Sequence, residues 1–221
     1  MVGMTRWIVR GSLVLTFCIA PLALGQGLVL GSATAGAQKA ATCLGCHGPN
    51  GNSINPMWPK LAGQNVDYLE NQLRQFRDKT RIDPSGVMPA IAATLSDQDI
   101  ANLAAYFSMQ TPTGLEADPS TWKAGEQLYR GGDAKRGIPA CMACHGPTGA
   151  GNPAAGYPAL HAQQGVYVIQ QLTEYAADRR YTHNTDGSSN GGHQDEIMHT
   201  IASHLTPQDM QELASYVQGL R

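Results

Sequence analysis

The chain has 221 residues, enough for one large domain or two domains of about 100 residues each. Hydrophobic residues make up 42% of it and charged residues 14%, which excludes a disordered or strongly charged chain. The formal net charge is -2 and no run of Lys or Arg occurs, which excludes electrostatic binding to nucleic acid.

The first segment has the pattern of an export signal. Two arginines precede a nearly continuous apolar run over residues 12–24, and the run ends in small residues that suit cleavage. We therefore expect residues 1–25 to be a signal peptide and the mature protein to begin near Gln26, in a periplasm. An uncleaved anchor is the alternative, but the apolar run is short for a membrane span and is broken at Pro21.

The rest of the chain contains an internal repeat. Residues 43–51 recur 98 positions later as residues 141–149, and both copies read Cys-x-x-Cys-His-Gly-Pro-x-Gly. The offset grows to 99 and then to 110, so the second copy carries an 11-residue insertion around residues 184–193. The repeat predicts a duplicated domain, with residues 26–113 as the first copy and residues 114–221 as the second.

Each copy is predicted to contain three helices and no strand, so the expected fold class is all-α. The opening helices are placed over residues 33–42 and 121–129. The middle helices follow from apolar residues at helical spacing: Val66, Leu69, Leu73 and Phe76, then Val168, Leu172 and Tyr175. For the last helices, Ser96 with Asp99 resembles a capping box, and Thr206 is the predicted N-cap before a first-turn proline.

The Cys-x-x-Cys-His motif is the attachment signature of a c-type haem. Two thiols at this spacing add to the two vinyl groups of the macrocycle, and the adjacent imidazole then reaches the iron. The motif predicts covalent attachment at Cys43, Cys46, Cys141 and Cys144. It also predicts an axial iron ligand at His47 and at His145. The expected cofactors are two covalently bound haem c groups.

The cysteines have three alternative uses. A four-thiolate zinc site would have to join pairs that 94 residues separate between Cys46 and Cys141. Thioredoxin-like redox pairs require a βαβ context, which the sequence lacks. Two structural disulfides suit an exported protein, but they would leave His47 and His145 unexplained.

A sixth iron ligand decides between electron transfer and catalysis. Met88 and Met198 occupy equivalent positions in the two copies, and a thioether opposite histidine gives a closed iron that transfers electrons. The alternative is that each methionine fills a core. His193 and His199 flank Met198, so they are the rival ligands in the second copy.

The imidazole of each axial histidine requires an acceptor for its second ring nitrogen. Pro59 and Pro158 lie 12 and 13 residues after His47 and His145. A proline carbonyl in a fixed turn is a plausible acceptor, so these residues are predicted to support the ligands. Turn prolines without this role are the alternative.

These residues resemble class I cytochromes c, and closely the dihaem cytochrome c4 family. The resemblance rests on both haem motifs, both late methionines, Pro59 to Gln64 with its copy Pro158 to Gln163, and the tyrosine-bearing last helices. It implies two tandem cytochrome c domains, each wrapped around one haem. It also implies a periplasmic carrier between a cytochrome bc complex or a dehydrogenase as donor and a terminal oxidase as acceptor. The second copy departs from the family pattern, with Ala162 at the place of Gly63.

The resemblance implies an electron-transfer protein that is not an enzyme. It also implies that Gly36 and Gly125 let the last helices cross closely, with Tyr106 and Tyr216 as packing partners. The alternatives are a cytochrome subunit of a dehydrogenase complex and, less favoured, a dihaem peroxidase. The sequence leaves open whether the protein associates peripherally with the membrane. Residues 26–113 have a net charge of 0 and residues 114–221 of -4, so a dipolar molecule is expected.

Overall fold

The computed structural model describes Met1 and residues 29–220, so the predicted signal peptide lies almost wholly outside the described residues. The first half contains α1 (Ala33–Lys39), α2 (Ala41–His47), α3 (Val66–Arg77), α4 (Val87–Ala92) and α5 (Asp97–Ser108). The second half contains α6 (Trp122–Gly131), α7 (Met142–His145), α8 (Gly165–Ala176), α9 (His193–Ala202) and α10 (Pro207–Gly219). Only isolated bridges interrupt the helical architecture of residues 29–220, so the all-α class is confirmed.

Between residues 29 and 220 each half has five α-helices where three helices were predicted. The missed helices carry the haem motifs, in α2 and α7, or the late methionines, in α4 and α9. Three of these four have 4–7 residues, which is too short for an apolar period to appear. The predicted opening helix over residues 33–42 is also wrong in its bounds, because α1 ends at Lys39 and a new helix begins at Ala41.

The predicted caps of the last helices are confirmed. Ser96 accepts a hydrogen bond from the backbone N–H of Asp99, whose carboxylate in turn accepts from the backbone N–H of Ser96. Thr206 and Asp209 form the same reciprocal pair at the start of α10. Each pair satisfies backbone donors that the first helical turn would otherwise leave unpaired.

Glycines allow the first and last helices of each half to cross closely. A Cβ on Gly36 would lie 2.0 Å from the carbonyl oxygen of Asn102 and 2.7 Å from Cβ of Tyr106. A Cβ on Gly125 would lie 2.0 Å from the carbonyl oxygen of Glu212 and 3.0 Å from the Cβ of Tyr216. The expected roles of both glycines and both tyrosines are therefore confirmed.

Each half has its own apolar core. In the first half the core is a cluster of buried residues centred on α5: Ala40, Leu69, Leu95, Ile100, Leu103, Ala104 and Phe107. In the second half it joins α6 to α10: Leu128, Tyr129, Ile138, Leu205, Met210, Leu213, Tyr216, Val217 and Leu220. Residues 111–118 have no regular structure and connect the halves. No helix among residues 29–220 has the length and hydropathy that a membrane span requires.

The halves also meet through backbone hydrogen bonds beside the insertion. The N–H of Ile82 donates to the carbonyl of Arg180 at 2.9 Å, and the N–H of Thr182 donates to the carbonyl of Thr80 at 2.8 Å. The insertion then folds back on itself, with a bridge between His183 and Ser189. The insertion therefore directly follows residues 180–182, whose backbone groups bind the first half.

Candidate functional site

The cysteines of each haem motif lie on a short helix. Cys43 and Cys46 are three residues apart on α2, so their side chains share one face. Cys141 caps α7, and Cys144 lies within it. None of the four forms a disulfide, and all are half-buried. Burial raises the pKa of Cys141 to about 11, because desolvation penalises the thiolate.

Each motif histidine ends its helix, and its ring is held by a proline carbonyl. Nδ1 of His47 lies 2.8 Å from the carbonyl oxygen of Pro59, and Nδ1 of His145 lies 2.9 Å from that of Pro158. A carbonyl can only accept, so Nδ1 must carry the proton. Burial lowers the pKa of both imidazoles, which favours the neutral ring. Nε2 is then left with a free lone pair, the form that binds iron.

One continuous cavity of about 630 Å³ joins these groups to the late methionines. Its walls include all eight side chains predicted to attach or ligate haem: Cys43, Cys46, His47, Met88, Cys141, Cys144, His145 and Met198. Met57 also lines it, but the Met57 residue is 53% exposed. The cavity extends through both halves, so the two predicted sites are neighbours.

The rival histidines of the second half lie outside the cavity wall. Nδ1 of His199 is 2.8 Å from the carbonyl oxygen of Tyr175. The side chain of His193 is 80% exposed and lies 3.9 Å from the carboxylate of Glu196. Met198, between them in sequence, does line the cavity. The arrangement favours the methionine over either histidine as the ligand.

An aspartate holds the start of the methionine helix in the first half. The carboxylate of Asp83 accepts from the backbone N–H of Met88 at 2.9 Å and from the N–H of Ser85 at 3.0 Å. The equivalent helix of the second half begins at His193 after Gly192, without a side-chain cap. Sequence reasoning did not single out Asp83, although an Asx turn before the helix was a usable signal.

Two buried arginines, Arg81 and Arg180, occupy equivalent positions of the repeat and line the cavity between the halves. Neither of them was assigned a role from the sequence. Arg81 donates to Tyr167 at 3.1 Å and to Gln171 at 3.0 Å, both in the second half. Arg180 donates to Tyr68 at 3.1 Å and to Gln72 at 3.3 Å, both in the first half. The matching pairs give the interface an approximate twofold symmetry.

These arginines provide a test of whether the cavity suits haem. Nε of Arg81, and Nε and Nη1 of Arg180, are buried and have no hydrogen-bond acceptor among the described residues. The carboxylate of Glu174 is 4.0 Å from Nη1 of Arg180. Buried N–H groups require acceptors. The propionate carboxylates of a haem would supply both acceptors and countercharge, so the residues fit the cofactor.

The positions of the His, Cys, Asp and Glu side chains bear on the alternative of a zinc site. No group of three or more His, Cys, Asp or Glu side chains between residues 29 and 220 is arranged to hold a metal ion. A zinc site that joins the two cysteine pairs would require such a group. The thiols instead border the cavity next to a neutral imidazole, which is the arrangement that haem attachment requires.

Comparisons with known proteins agree with this geometry. The family model described as cytochrome c matches residues 33–110 and 123–221. Cytochrome c4 of Azotobacter vinelandii is 43% identical over 203 residues, which cover 89% of this chain and 92% of that protein. The crystal structure of reduced recombinant cytochrome c4 from Pseudomonas stutzeri has a TM-score of 0.76 at 41% identity, covering 86% of this chain and 100% of that one.

A relative with a more specific name is similar over much of the chain. The thiosulfate dehydrogenase electron acceptor of Thiomonas intermedia is 37% identical over 184 residues, covering 81% of this chain and 78% of that protein. Two matched domains and two haem motifs account for two covalently bound haem c groups. The chain therefore belongs to the cytochrome c family, within the cytochrome c4 group of dihaem electron-transfer proteins.

Proposed function

We propose that this protein is a periplasmic carrier that takes one electron per haem from a cytochrome bc complex or a dehydrogenase and passes it to a terminal oxidase. One observation carries the proposal: a single cavity brings both haem motifs and both repeated methionines together across the two halves. Two redox centres in one cavity suit a carrier with an entry and an exit for electrons.

We propose His47 and Met88 as the axial ligands of the first haem, and His145 and Met198 as those of the second. The haem iron supplies one-electron chemistry between its ferrous and ferric states. Cys43 and Cys46, with Cys141 and Cys144, would fix the two macrocycles through thioether bonds. A thioether on the face opposite histidine closes the iron to small molecules and raises its reduction potential.

The remaining cavity residues would orient the haems and exclude water. Pro59 and Pro158 hold the imidazole planes through Nδ1. Arg81 and Arg180 would neutralise the propionates where the halves meet. Since no ligand exchange accompanies the transfer, the site is expected to change little between oxidation states.

The export and domain assignments belong to the same proposal. Haem-motif cysteines and the sequence of residues 1–25 suit a protein that matures outside the cytoplasm from about Gln26. The first domain would then span residues 26–113 and the second residues 114–221. The contact of the Lys60 ammonium with Thr113 supports a domain end at that point, because it ties the linker to the first half.

A second candidate is a cytochrome partner of a dehydrogenase. The similarity to the thiosulfate dehydrogenase electron acceptor of Thiomonas intermedia favours it. In that case the donor would be a sulfur-oxidising enzyme, and the two haems would keep the same ligands. Co-purification of the native protein with a larger dehydrogenase subunit would select this candidate over a free carrier.

The ligand assignment is tested by methionine replacement in the full-length holoprotein. Met88→Ala and Met198→Ala should each convert one haem to an open form that binds carbon monoxide when reduced, with a lower potential at that haem only. Met57→Ala is the matched control, because Met57 lines the same cavity but has no methionine counterpart. If His199→Ala opens the second haem and Met198→Ala does not, the second assignment is wrong.

The carrier role is tested on the wild-type protein. Six-coordinate irons should bind no carbon monoxide rapidly after full reduction and should give no sustained peroxide turnover with a reduced donor. Stoichiometric binding at one haem together with turnover would identify a peroxidase instead.

A further inference from the structure

Two buried glutamines cross between the halves in a reciprocal pair. Oε1 of Gln163 accepts from the N–H of Lys60 at 2.8 Å, and its Nε2 donates to the carbonyl of Lys60 at 3.0 Å. Oε1 of Gln64 accepts from the N–H of Ala159 at 2.8 Å, and its Nε2 donates to the carbonyl of Ala159 at 2.9 Å. Each glutamine thus clamps one backbone residue of the opposite half.

The clamped residues directly follow the prolines that hold the motif histidines. The carbonyl of Pro59 and the N–H of Lys60 belong to one peptide group, because the two residues are consecutive. That carbonyl accepts from Nδ1 of His47 at 2.8 Å, while the N–H donates to Gln163. A continuous chain of hydrogen bonds therefore runs from an amide of the second half, through one peptide group, to the histidine of the first half.

The same chain exists in the opposite direction. The peptide group between Pro158 and Ala159 accepts from Nδ1 of His145 at 2.9 Å and donates to Oε1 of Gln64. Both glutamine oxygens also accept from the N–H of the next residue, at 2.9 Å for Asn65 and 3.0 Å for Gln164. These contacts fix which end of each amide is the acceptor.

We propose that Gln163 is a positioning residue for the axial His47 of the first haem, and that Gln64 is one for the axial His145 of the second. The inference rests on the ligand assignment proposed above. Hydrogen bonds in series through one peptide polarise each other, so an acceptor on the N–H makes the carbonyl a stronger acceptor. The imidazole then becomes a more electron-rich ligand, which stabilises ferric iron. Each domain thereby tunes the haem of the other.

Burial makes the effect selective. Gln64 and Gln163 are 7% and 8% exposed, so water is poorly placed to replace either amide. Gln164 is a matched control: it is 4% exposed and donates to the carbonyl of Ser53 in the opposite half at 2.6 Å, but it does not touch the proline peptide. Loss of Gln164 weakens the same interface without breaking the chain of hydrogen bonds.

The test uses the full-length holoprotein with Gln163→Leu, Gln64→Leu and Gln164→Leu. Redox titration should show that Gln163→Leu raises the potential of the first haem and leaves the second unchanged. Gln64→Leu should raise the potential of the second haem and leave the first unchanged. One variant therefore remains informative if the other fails to fold. Gln164→Leu should shift neither potential. Proton NMR of the ferrous protein should show a displaced Nδ1–H resonance only for the histidine of the haem whose potential moved.

Three results would overturn the inference. In the first, both potentials stay unchanged while NMR shows both histidines still bound to iron, which leaves the ligand assignment intact. In the second, Gln163→Leu moves the haem of its own half, or Gln164→Leu causes equal shifts, which would identify loosening of the interface as the cause. In the third, the wild-type protein gives no histidine-ligation signals, which would overturn the ligand assignment as well.

Discussion

The buried guanidinium of Arg180 requires a counter-ion that the polypeptide does not fully supply. Arg180 is 2% exposed, and both Arg180 and Arg81 donate hydrogen bonds to Oε1 of Gln72. Two nitrogen atoms of Arg180, Nε and Nη1, have no acceptor among the described residues. Two buried cations in one place repel each other and lose hydration, so they are stable only with anions nearby. Haem propionates are the anions that the proposed function brings to the cavity.

We predict that Arg180→Gln lowers both stability and reduction potential. Loss of the charge leaves propionates less compensated, which should cost about 2–4 kcal/mol of unfolding free energy. Ferric iron is favoured when a nearby positive charge is removed, so the potential of at least one haem should fall. Arg179→Gln is the control, because the neighbouring Arg179 is exposed. Chemical denaturation and redox titration of the two variants provide the comparison.

Arg180→Lys separates charge from geometry. A lysine keeps the positive charge but lacks the planar set of donors, so most of the potential should return while part of the stability stays lost. Equal behaviour of Arg180→Gln and Arg179→Gln would remove the propionate role.

The functional residues that could be predicted from the sequence are those whose type is rare and whose spacing is typical of haem attachment. Cysteine, histidine and methionine are rare enough that their repetition indicates a role. The structure places all eight side chains that were predicted from this repetition on the wall of one cavity. Gln163 and Arg180 are also repeated, but repeated polar residues are as consistent with a solvated surface. Only burial and contacts across the interface identify them, and those depend on how the two halves pack.

At the scale of the element, helix crossings decide stability. We predict that Gly125→Ala destabilises the holoprotein by about 1–3 kcal/mol or more, because its Cβ would lie 2.0 Å from the carbonyl oxygen of Glu212 and force α6 away from α10. Gly131→Ala in the same helix is the control, since its Cβ would meet no atom within 4 Å. That control should be neutral or stabilising by up to about 1 kcal/mol. Equal losses in thermal unfolding would contradict the close-crossing argument.

The cap of α10 should make stability depend on pH. The Arg136 guanidinium lies 2.6 Å from Asp209 and, with the Thr206 hydrogen bonds, lowers the pKa of the Asp209 carboxyl to about 2. A depressed folded-state pKa stabilises the protein above the ordinary aspartate range, and the gain is lost as pH falls towards about 2. Asp209→Asn should therefore cost about 1–2 kcal/mol at neutral pH, with the difference from wild type shrinking between about pH 4 and 2.

The first half provides the comparison for this pH effect. Asp99 caps α5 in the same way but pairs with Lys39 at 3.3 Å, and the Lys39 side chain is 43% exposed. An exposed pair contributes less, so Asp99→Asn should cost less than Asp209→Asn. Urea unfolding at several pH values measures both; a pH-independent difference for Asp209→Asn would contradict the ionic contribution.

Elements with a long apolar period were predictable, and short ones were not. The capping residues Ser96 and Thr206 correctly marked the starts of α5 and α10, because a hydroxyl followed by aspartate three residues on is a local signal. The 4-residue helix α7 has no room for a period. Its existence follows from the haem motif and from tertiary contacts instead.

At the scale of the whole molecule, duplication predicted two domains but not their arrangement. The approximate twofold symmetry arises because equivalent residues of the two copies make equivalent contacts across the interface. Arg81 contacts Tyr167 of the second half, and Arg180 contacts Tyr68 of the first half. Such complementarity is specific to three-dimensional packing. The 11-residue insertion is present in the second copy only, so the two copies are not identical there.

The two halves should respond differently to salt. Residues 26–113 carry no net charge and residues 114–221 carry -4, and ionised propionates would add to the negative field. A basic partner would therefore be steered to the second half, and its association rate should fall steeply as ionic strength rises past about 0.1 M, where the screening length is about 10 Å. A partner that binds the neutral first half should show an association rate that depends only weakly on ionic strength.

Single-charge variants locate the effect. Glu196→Gln removes a charge in the second half whose side chain is 54% exposed, and Asp67→Asn removes one exposed charge in the first half. With a basic redox partner, stopped-flow electron transfer should slow and lose salt sensitivity in Glu196→Gln and change little in Asp67→Asn. Both side chains are exposed, so neither substitution removes a buried contact, and a rate change reports on the encounter of the two proteins. Rates that ignore ionic strength, or equal effects of the two variants, would mean that the charge asymmetry steers no partner.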